Sequence, residues 1–220
     1  MNTGTAFYRF LTGLDPDFGP GKGFSVIYPY SDIEVKRVLK IFCQRFYSDT
    51  KSRTLILGIN PGRFGAGITG IPFTDPEALS QRCGIRHHLQ ARRELSSTFV
   101  YDFIDRFGGP SIFYKHYLIS SVMPMGLLFG TKNCNYYDSA TLFRKCKPLI
   151  ELSMKKHLEM HVNSERLIIL GKKNADFFAS IKGFKGLFKE VVVLEHPRYV
   201  MQYQLKNKDR FIDQWLSVLK

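Results

Sequence analysis

Apolar positions along this chain fall into two patterns, short unbroken runs and longer stretches spaced by three and four. In SDIEVKRVLKIFCQRFYS (31–48), Ile33, Val38, Ile41, Phe42 and Phe46 recur at mixed three and four spacing. That predicts an amphipathic helix capped by Ser31 or Asp32. RTLILGI (53–59) is a continuous apolar run and predicts a buried strand. An Asp-Pro start opens a short helix over 75–83, and a Gly-Gly stop closes another over 96–109. HYLISSV (116–122) predicts a second strand, followed by a turn-rich loop, MPMGLLFGTKNCNYY. A long helix runs from an Asp138/Ser139 cap to about His161. RLIIL (166–170) predicts a third strand, Gly171 a turn into the helix KKNADFFASI, and KEVVVLEHP (189–197) a fourth strand. An amphipathic tail, roughly 203–219, carries Trp215 and closes the domain.

Short apolar strands alternating with helices predict an α/β fold, a three-layer sandwich with a central four-stranded parallel sheet flanked by helices. No repeat or long linker divides the chain, so residues 1–220 read as one domain. In such sheets ligands bind beyond the carboxyl ends of the strands. Four loops therefore matter: 59–75, 121–135, 171–174 and 195–203.

Charge narrows the class of partner. Lys and Arg number 32 against 19 Asp and Glu, a net +13, which points to a polyanion and first to nucleic acid. No apolar run approaches the ~18 residues that span a bilayer. The N-terminus lacks a basic start followed by an apolar core, so no secretory signal is expected and the protein reads as intracellular. Cys43, Cys83, Cys134 and Cys146 have irregular gaps and no CxxC pair. They read as reduced thiols, with no metal site.

The candidate chemistry starts in LILGINPGRFGAGITGIPF (55–73). GAGITG matches G-x-G-x-x-G, but it begins six residues beyond the strand and runs into Ile71-Pro72-Phe73 rather than a helix. No acidic ribose partner follows, so a dinucleotide cofactor is not expected, and no Gly-Lys-Ser/Thr makes a P-loop. Asn60 is either a turn residue bonding its own backbone or a site residue, and Phe73 either core or site. Gly62 removes a side chain where something must approach the backbone. After the fourth strand, His196-Pro197 lies at the same sheet edge. Arg198 to Met201 form a basic and apolar tip that either wedges into a base stack or folds back on the domain.

Gly58 to Phe73, GINPGRFGAGITGIPF, resembles motif 1 of the uracil-DNA glycosylase superfamily, above all its single-strand-selective monofunctional (SMUG-type) branch. His196 to Tyr203, HPRYVMQY, is similar to the superfamily's motif 2, which begins His-Pro. The resemblance covers about residues 24–219 and points to a bacterial sub-branch. It implies an enzyme that flips uracil from DNA and hydrolyses its N-glycosidic bond, with Asn60 positioning water, His196 stabilising the departing anion and Phe73 stacking on the base. Gly58, Ile59, Pro61, Gly62 and Phe64, with Ser121 and Met123, are expected to line the base pocket. Arg63, Lys172, Pro197, Arg198, Tyr199, Val200 and Met201 are expected to meet DNA. The implied partner is uracil-containing DNA, single-stranded or duplex, bound by a cytoplasmic monomer working on the nucleoid, without cofactor. One departure stands out: Ser121 lies three residues before Pro124, where the family carries a base-reading Asn. That leaves open other deaminated or mismatched bases (hypoxanthine, xanthine, thymine opposite guanine). A non-catalytic nucleic-acid-binding module is the other alternative.

Overall fold

The computed structural model describes residues 1–220. Its strands are β1 (Phe24–Ile27), β2 (Arg53–Gly58), β3 (Tyr117–Ser121), β4 (Gly126–Phe129), β5 (Lys132–Cys134), β6 (Val162–Leu170) and β7 (Glu190–Leu194). The α-helices are α1 (Thr3–Thr12), α2 (Ile33–Phe46), α3 (Ala66–Thr69), α4 (Pro76–Gln81), α5 (Leu95–Phe107), α6 (Pro110–His116), α7 (Ala140–Leu158), α8 (Lys172–Ala179), α9 (Pro197–Tyr203) and α10 (Lys208–Leu219).

The expected parallel sheet is present, with four strands in the order β3-β2-β6-β7. Leu55, Ile56 and Leu57 of β2 pair with Leu118, Ile119 and Ser120 on one side and with Leu167, Ile168 and Ile169 on the other. All of these are buried, as a parallel sheet covered on both faces requires. Trp215 of α10 packs edge-on against Phe99 and Phe103 of α5. The four cysteines are buried and unpaired. No helix is long and apolar enough to cross a membrane.

Several elements depart from the sequence reading. Residues 3–12 form a helix, capped by Asn2 accepting from the Thr5 amide at 2.8 Å and burying Phe7, Phe10 and Leu11. Ile33, placed on the apolar face of α2, is exposed; the face that packs carries Val35, Val38, Leu39 and Phe42. The turn-rich loop after β3 contains the β4–β5 hairpin, whose turn holds Gly130 at φ +58°. β1 adds to β4, making a second, three-stranded antiparallel sheet. GAGITG holds one helical turn, α3, closed by Gly70 at φ +72°. The tip after β7 is a helix, α9, with Pro197 at its first position.

Candidate active site

The carboxyl ends of the parallel strands open into a cavity of about 530 Å³. Ile59, Asn60, Pro61, Gly62, Phe73, Ser121, Lys172, His196, Arg198 and Tyr199 all line it, so the structure unites loops far apart in sequence.

Asn60 follows β2 and is gripped by the hairpin. Its Nδ2 donates to Cys134 O at 3.1 Å, and its Oδ1 accepts from the Tyr136 amide at 3.3 Å. Tyr136 donates its hydroxyl to Asn174 Oδ1 at 2.9 Å. Asn174 in turn donates to Gly58 O and Leu170 O, at 3.1 and 3.2 Å. The ends of β2 and β6 are thereby tied to the segment that orients Asn60. An amide has two donors and two acceptor sites, so Asn60 keeps capacity to hold a further partner such as water.

Phe73 has φ +54°, a left-handed backbone in a bulky residue. Such a conformation costs about 1 to 3 kcal/mol and persists only where its surroundings over-determine it. Thr69 supplies that constraint: its Oγ1 accepts from the Ile71 amide at 3.1 Å and bonds Thr74 O at 2.6 Å. The Phe73 ring is thereby laid across Gly58, where a Cβ would stand 2.5 Å from Phe73 Cε2. The ring centre lies 5.8 Å from that of His196.

His196 caps α9, with Nδ1 accepting from the Arg198 amide at 3.1 Å. In the neutral ring that assigns the proton to Nε2. Burial, helped by the Arg198 charge, pulls the imidazole down to about 4, so the ring is neutral at pH 7.

Ser121 is buried at the cavity wall, and its hydroxyl takes part in no hydrogen bond within the chain. Its neighbour Ser120 is instead bonded by His157 at 2.8 Å.

Other expected site residues lie elsewhere. Gly58 sits behind the Phe73 ring rather than on the cavity surface. Met123 is fully buried, its amide bonded to Ile59 O at 3.0 Å, so it belongs to the core. Pro197 and Val200 are buried as well, because α9 turns positions three apart inward. Met201 packs partly against the core, leaving Arg198, Tyr199 and Tyr203 on the outer face. Arg63 and Phe64 line a second cavity of about 440 Å³ together with Arg93, Lys132 and Arg198. There the guanidinium groups of Arg63 and Arg92 lie 4.4 and 4.3 Å from the Phe64 ring centre.

The sequence reading missed Glu94, Asn133, Tyr137, Asn174 and Glu195, all on the main cavity. Glu94 is the most consequential. Its carboxyl lies on the glycine-rich loop: a Cβ on Gly62 would stand 2.8 Å from Oε1, and one on Gly65 2.7 Å from Cδ. The close approach inferred at Gly62 is therefore made in part by the protein itself.

A neutral imidazole donor and a fixed amide in one cavity suit the departure of a heterocyclic anion, and the basic groove alongside suits a polyanionic strand. That is the class of enzymes that remove a base from nucleic acid. The sequence profile of the Uracil DNA glycosylase superfamily matches residues 45–220. The crystal structure of wild-type SMUG2 from Pedobacter heparinus superposes with a TM-score of 0.94 at 36% identity, covering 99% of this chain and 97% of that one. No match was found among curated proteins. The chain belongs to the uracil DNA glycosylase superfamily. It is a monofunctional DNA glycosylase of base excision repair, acting on uracil in DNA.

Proposed function

We propose that a flipped uracil enters the 530 Å³ cavity, stacks on Phe73 and is released by the joint action of His196 and Asn60. Heterolysis of the C1′–N1 bond leaves the bonding pair on the base, as a uracil anion, and an oxocarbenium-like sugar. His196 Nε2–H donates to the oxygen on which the negative charge gathers. Such a preorganised donor is worth about 3 kcal/mol of transition-state stabilisation. Because the ring is neutral, its interaction grows with the charge on the leaving base, which is what raises turnover rather than mere affinity. Asn60 holds the water that adds to C1′, and the water's surplus proton leaves to solvent. An Asn suffices because attack on a cationic carbon needs little deprotonation beforehand.

Arg198 and Tyr199 on the outer face of α9, with Lys172 at the rim, meet the strand in this reading. Flipping costs a few kcal/mol, less from single strands or mispairs, and in this reading Tyr199 or Met201 fills the vacated stack. The protein works as a monomer on single-stranded and duplex DNA in the cytoplasm.

The observation that carries this reading is the convergence of Phe73, His196 and Asn60 on one cavity, each fixed by its own hydrogen bonds or backbone strain. Alkaline scission of a uracil-containing oligonucleotide tests it, in single-stranded and duplex form. Wild type should generate alkali-labile sites in both, whereas Asn60→Ala should lose turnover and keep DNA binding within a few-fold. Binding lost in parallel with turnover would remove Asn60 from the water-positioning role. Ser121 favours a wider second reading. A lone hydroxyl gives or accepts one bond at a time and discriminates base edges less sharply than an amide. Hypoxanthine, xanthine and thymine opposite guanine, assayed beside uracil, would reveal that range.

A further inference from the structure

Glu94 stands between the two cavities and lines both. Its backbone is fixed: the amide donates to Asp75 Oδ2 at 2.7 Å, and the carbonyl accepts from Thr98 N and Oγ1, at 2.9 and 3.1 Å. Its carboxyl oxygens bond no donor of the chain. They occupy instead the space where side chains on Gly62 and Gly65 would begin.

The surroundings of this carboxyl have opposite signs. Asp75, the N-cap of α4, is a carboxylate on one side. Arg198 of α9 faces it across the cavity without forming an ion pair. Arg63 of the glycine-rich loop, Arg93 ahead of α5 and Lys132 of β5 line the same groove. Those four cations would draw a phosphodiester into the groove, and the phosphate would then lie beside Glu94. An ionised carboxylate there opposes the strand and competes for Arg198, whereas a protonated one does neither.

We propose that Glu94 is a positioning residue that makes strand binding proton-linked: the nucleic-acid backbone settles into the groove flanking the base cavity with the Glu94 carboxyl protonated, the proton being taken from solvent. The inference deepens the glycosylase reading and rests on it for the identity of the strand. Burial, then the Asp75 charge, raise the free carboxyl to about 7 against the pull of Arg198, which puts the transition within an accessible range. If only the protonated form binds, the apparent Kd scales with the inverse of the protonated fraction. From pH 6 to pH 8 that fraction falls about tenfold around a midpoint near 7. His196 is neutral throughout this window and contributes nothing to it.

The test uses the whole protein and a short fluorescein-labelled thymidine oligomer, which carries no uracil and stays intact. Anisotropy titrations should show binding about tenfold weaker at pH 8 than at pH 6 for wild type. Glu94→Gln and Glu94→Ala should bind within about twofold at both pH values and match the wild-type affinity at pH 6. Calorimetry in two buffers of different ionisation enthalpy should show net proton uptake on binding near pH 7.5 for wild type and none for either variant. A pH dependence that survives in both variants would assign it to other groups and overturn the proposal. Absence of proton uptake by wild type would also overturn it, without recourse to any variant. Uracil excision assayed in parallel separates the two readings. Excision with pH-independent binding refutes the Glu94 role alone; proton-linked binding lost in both variants, without excision of any base, refutes the glycosylase reading alone.

Discussion

Gly58→Ala perturbs the site through a single methyl group. Gly58 ends β2 with a backbone any residue can adopt, so the substitution carries no torsional penalty. Its added Cβ would nevertheless stand 2.5 Å from Phe73 Cε2, with Cζ of the ring closer still, against an ordinary contact of 3.4 Å or more, so something must give by about 1 Å. The strand cannot be what moves. Gly58 is in register with Ser121 of β3, and its carbonyl accepts from Val122 N at 2.9 Å and from Asn174 Nδ2 at 3.1 Å. The Phe73 ring moves instead, into the cavity where the base is proposed to stack. Overpacking of this kind costs about 1 to 3 kcal/mol, and the low end applies because a ring edge yields more easily than backbone. The catalytic cost is larger. Misplacing a positioning group by about 1 Å costs on the order of a hundredfold in rate, about 2.7 kcal/mol.

Single-turnover excision on a uracil oligonucleotide, with thermal melting alongside, measures both quantities. Removing the ring supplies the control. In a Phe73→Ala background the methyl meets only Ser120 O, at an ordinary 3.6 Å, so Gly58→Ala should add no further loss, and the coupling should equal nearly the whole single-mutant effect. A loss below about fivefold, or an undiminished loss in the Phe73→Ala background, would refute the assignment of Gly58 as the seat of the Phe73 ring.

Three other outcomes follow from the same geometry. The His196 ring should stay neutral and Nε2-protonated from about pH 5.5 to about pH 8 in ring nitrogen NMR spectra; a midpoint near the free value of ~6.5 would contradict the burial that depresses it. Ser121→Ala should lower kcat/KM on uracil by about 2- to 13-fold, the worth of one net hydrogen bond of about 0.5 to 1.5 kcal/mol, and an unchanged value would take Ser121 out of base reading. Val200→Ala should cost about 2 kcal/mol of stability and leave DNA affinity intact, while Tyr199→Ala should do the reverse, so weakened binding by the Val200 variant would return that residue to the DNA surface.

What was legible in the sequence divides along physical lines. The parallel sheet could be read because its strands are buried on both faces and therefore appear as unbroken apolar runs. β4 and β5 could not. They are four and three residues long, and β4 takes one of its two partners, β1, from about a hundred residues earlier in the chain. The helix α9 was in principle readable. A His-Pro start followed by Val200 three residues after Pro197 is the pattern of a capped helix with one face buried, and it competed with the attraction of an exposed basic tip. Asn60, Phe73 and His196 stood out through motif resemblance, since each is embedded in a specific local string. Glu94 had no such string. A Glu ahead of a helix reads as an ordinary cap, and only its landing on Gly62 and Gly65 gives it meaning.

If Asn60 holds the water as proposed, the hairpin that the sequence concealed is what fits it for that role. An Asn at a strand end in water samples several rotamers and bonds its own backbone, which leaves it a poor holder of a nucleophile. Here both ends of its amide are occupied by the segment leaving β5, and that segment is anchored through Tyr136 to Asn174 and so to the carbonyls of Gly58 and Leu170. The loop closes on itself: β2 leads into Asn60, the hairpin orients it, and a buried helix residue ties the hairpin back to β2. On the proposed reading, preorganisation of this kind would lower the barrier, because the orienting cost is met during folding and not at the moment of reaction. Asn174 touches none of the reacting atoms in this scheme. Its loss would therefore slow turnover by loosening Asn60, with the chemistry of the site otherwise intact.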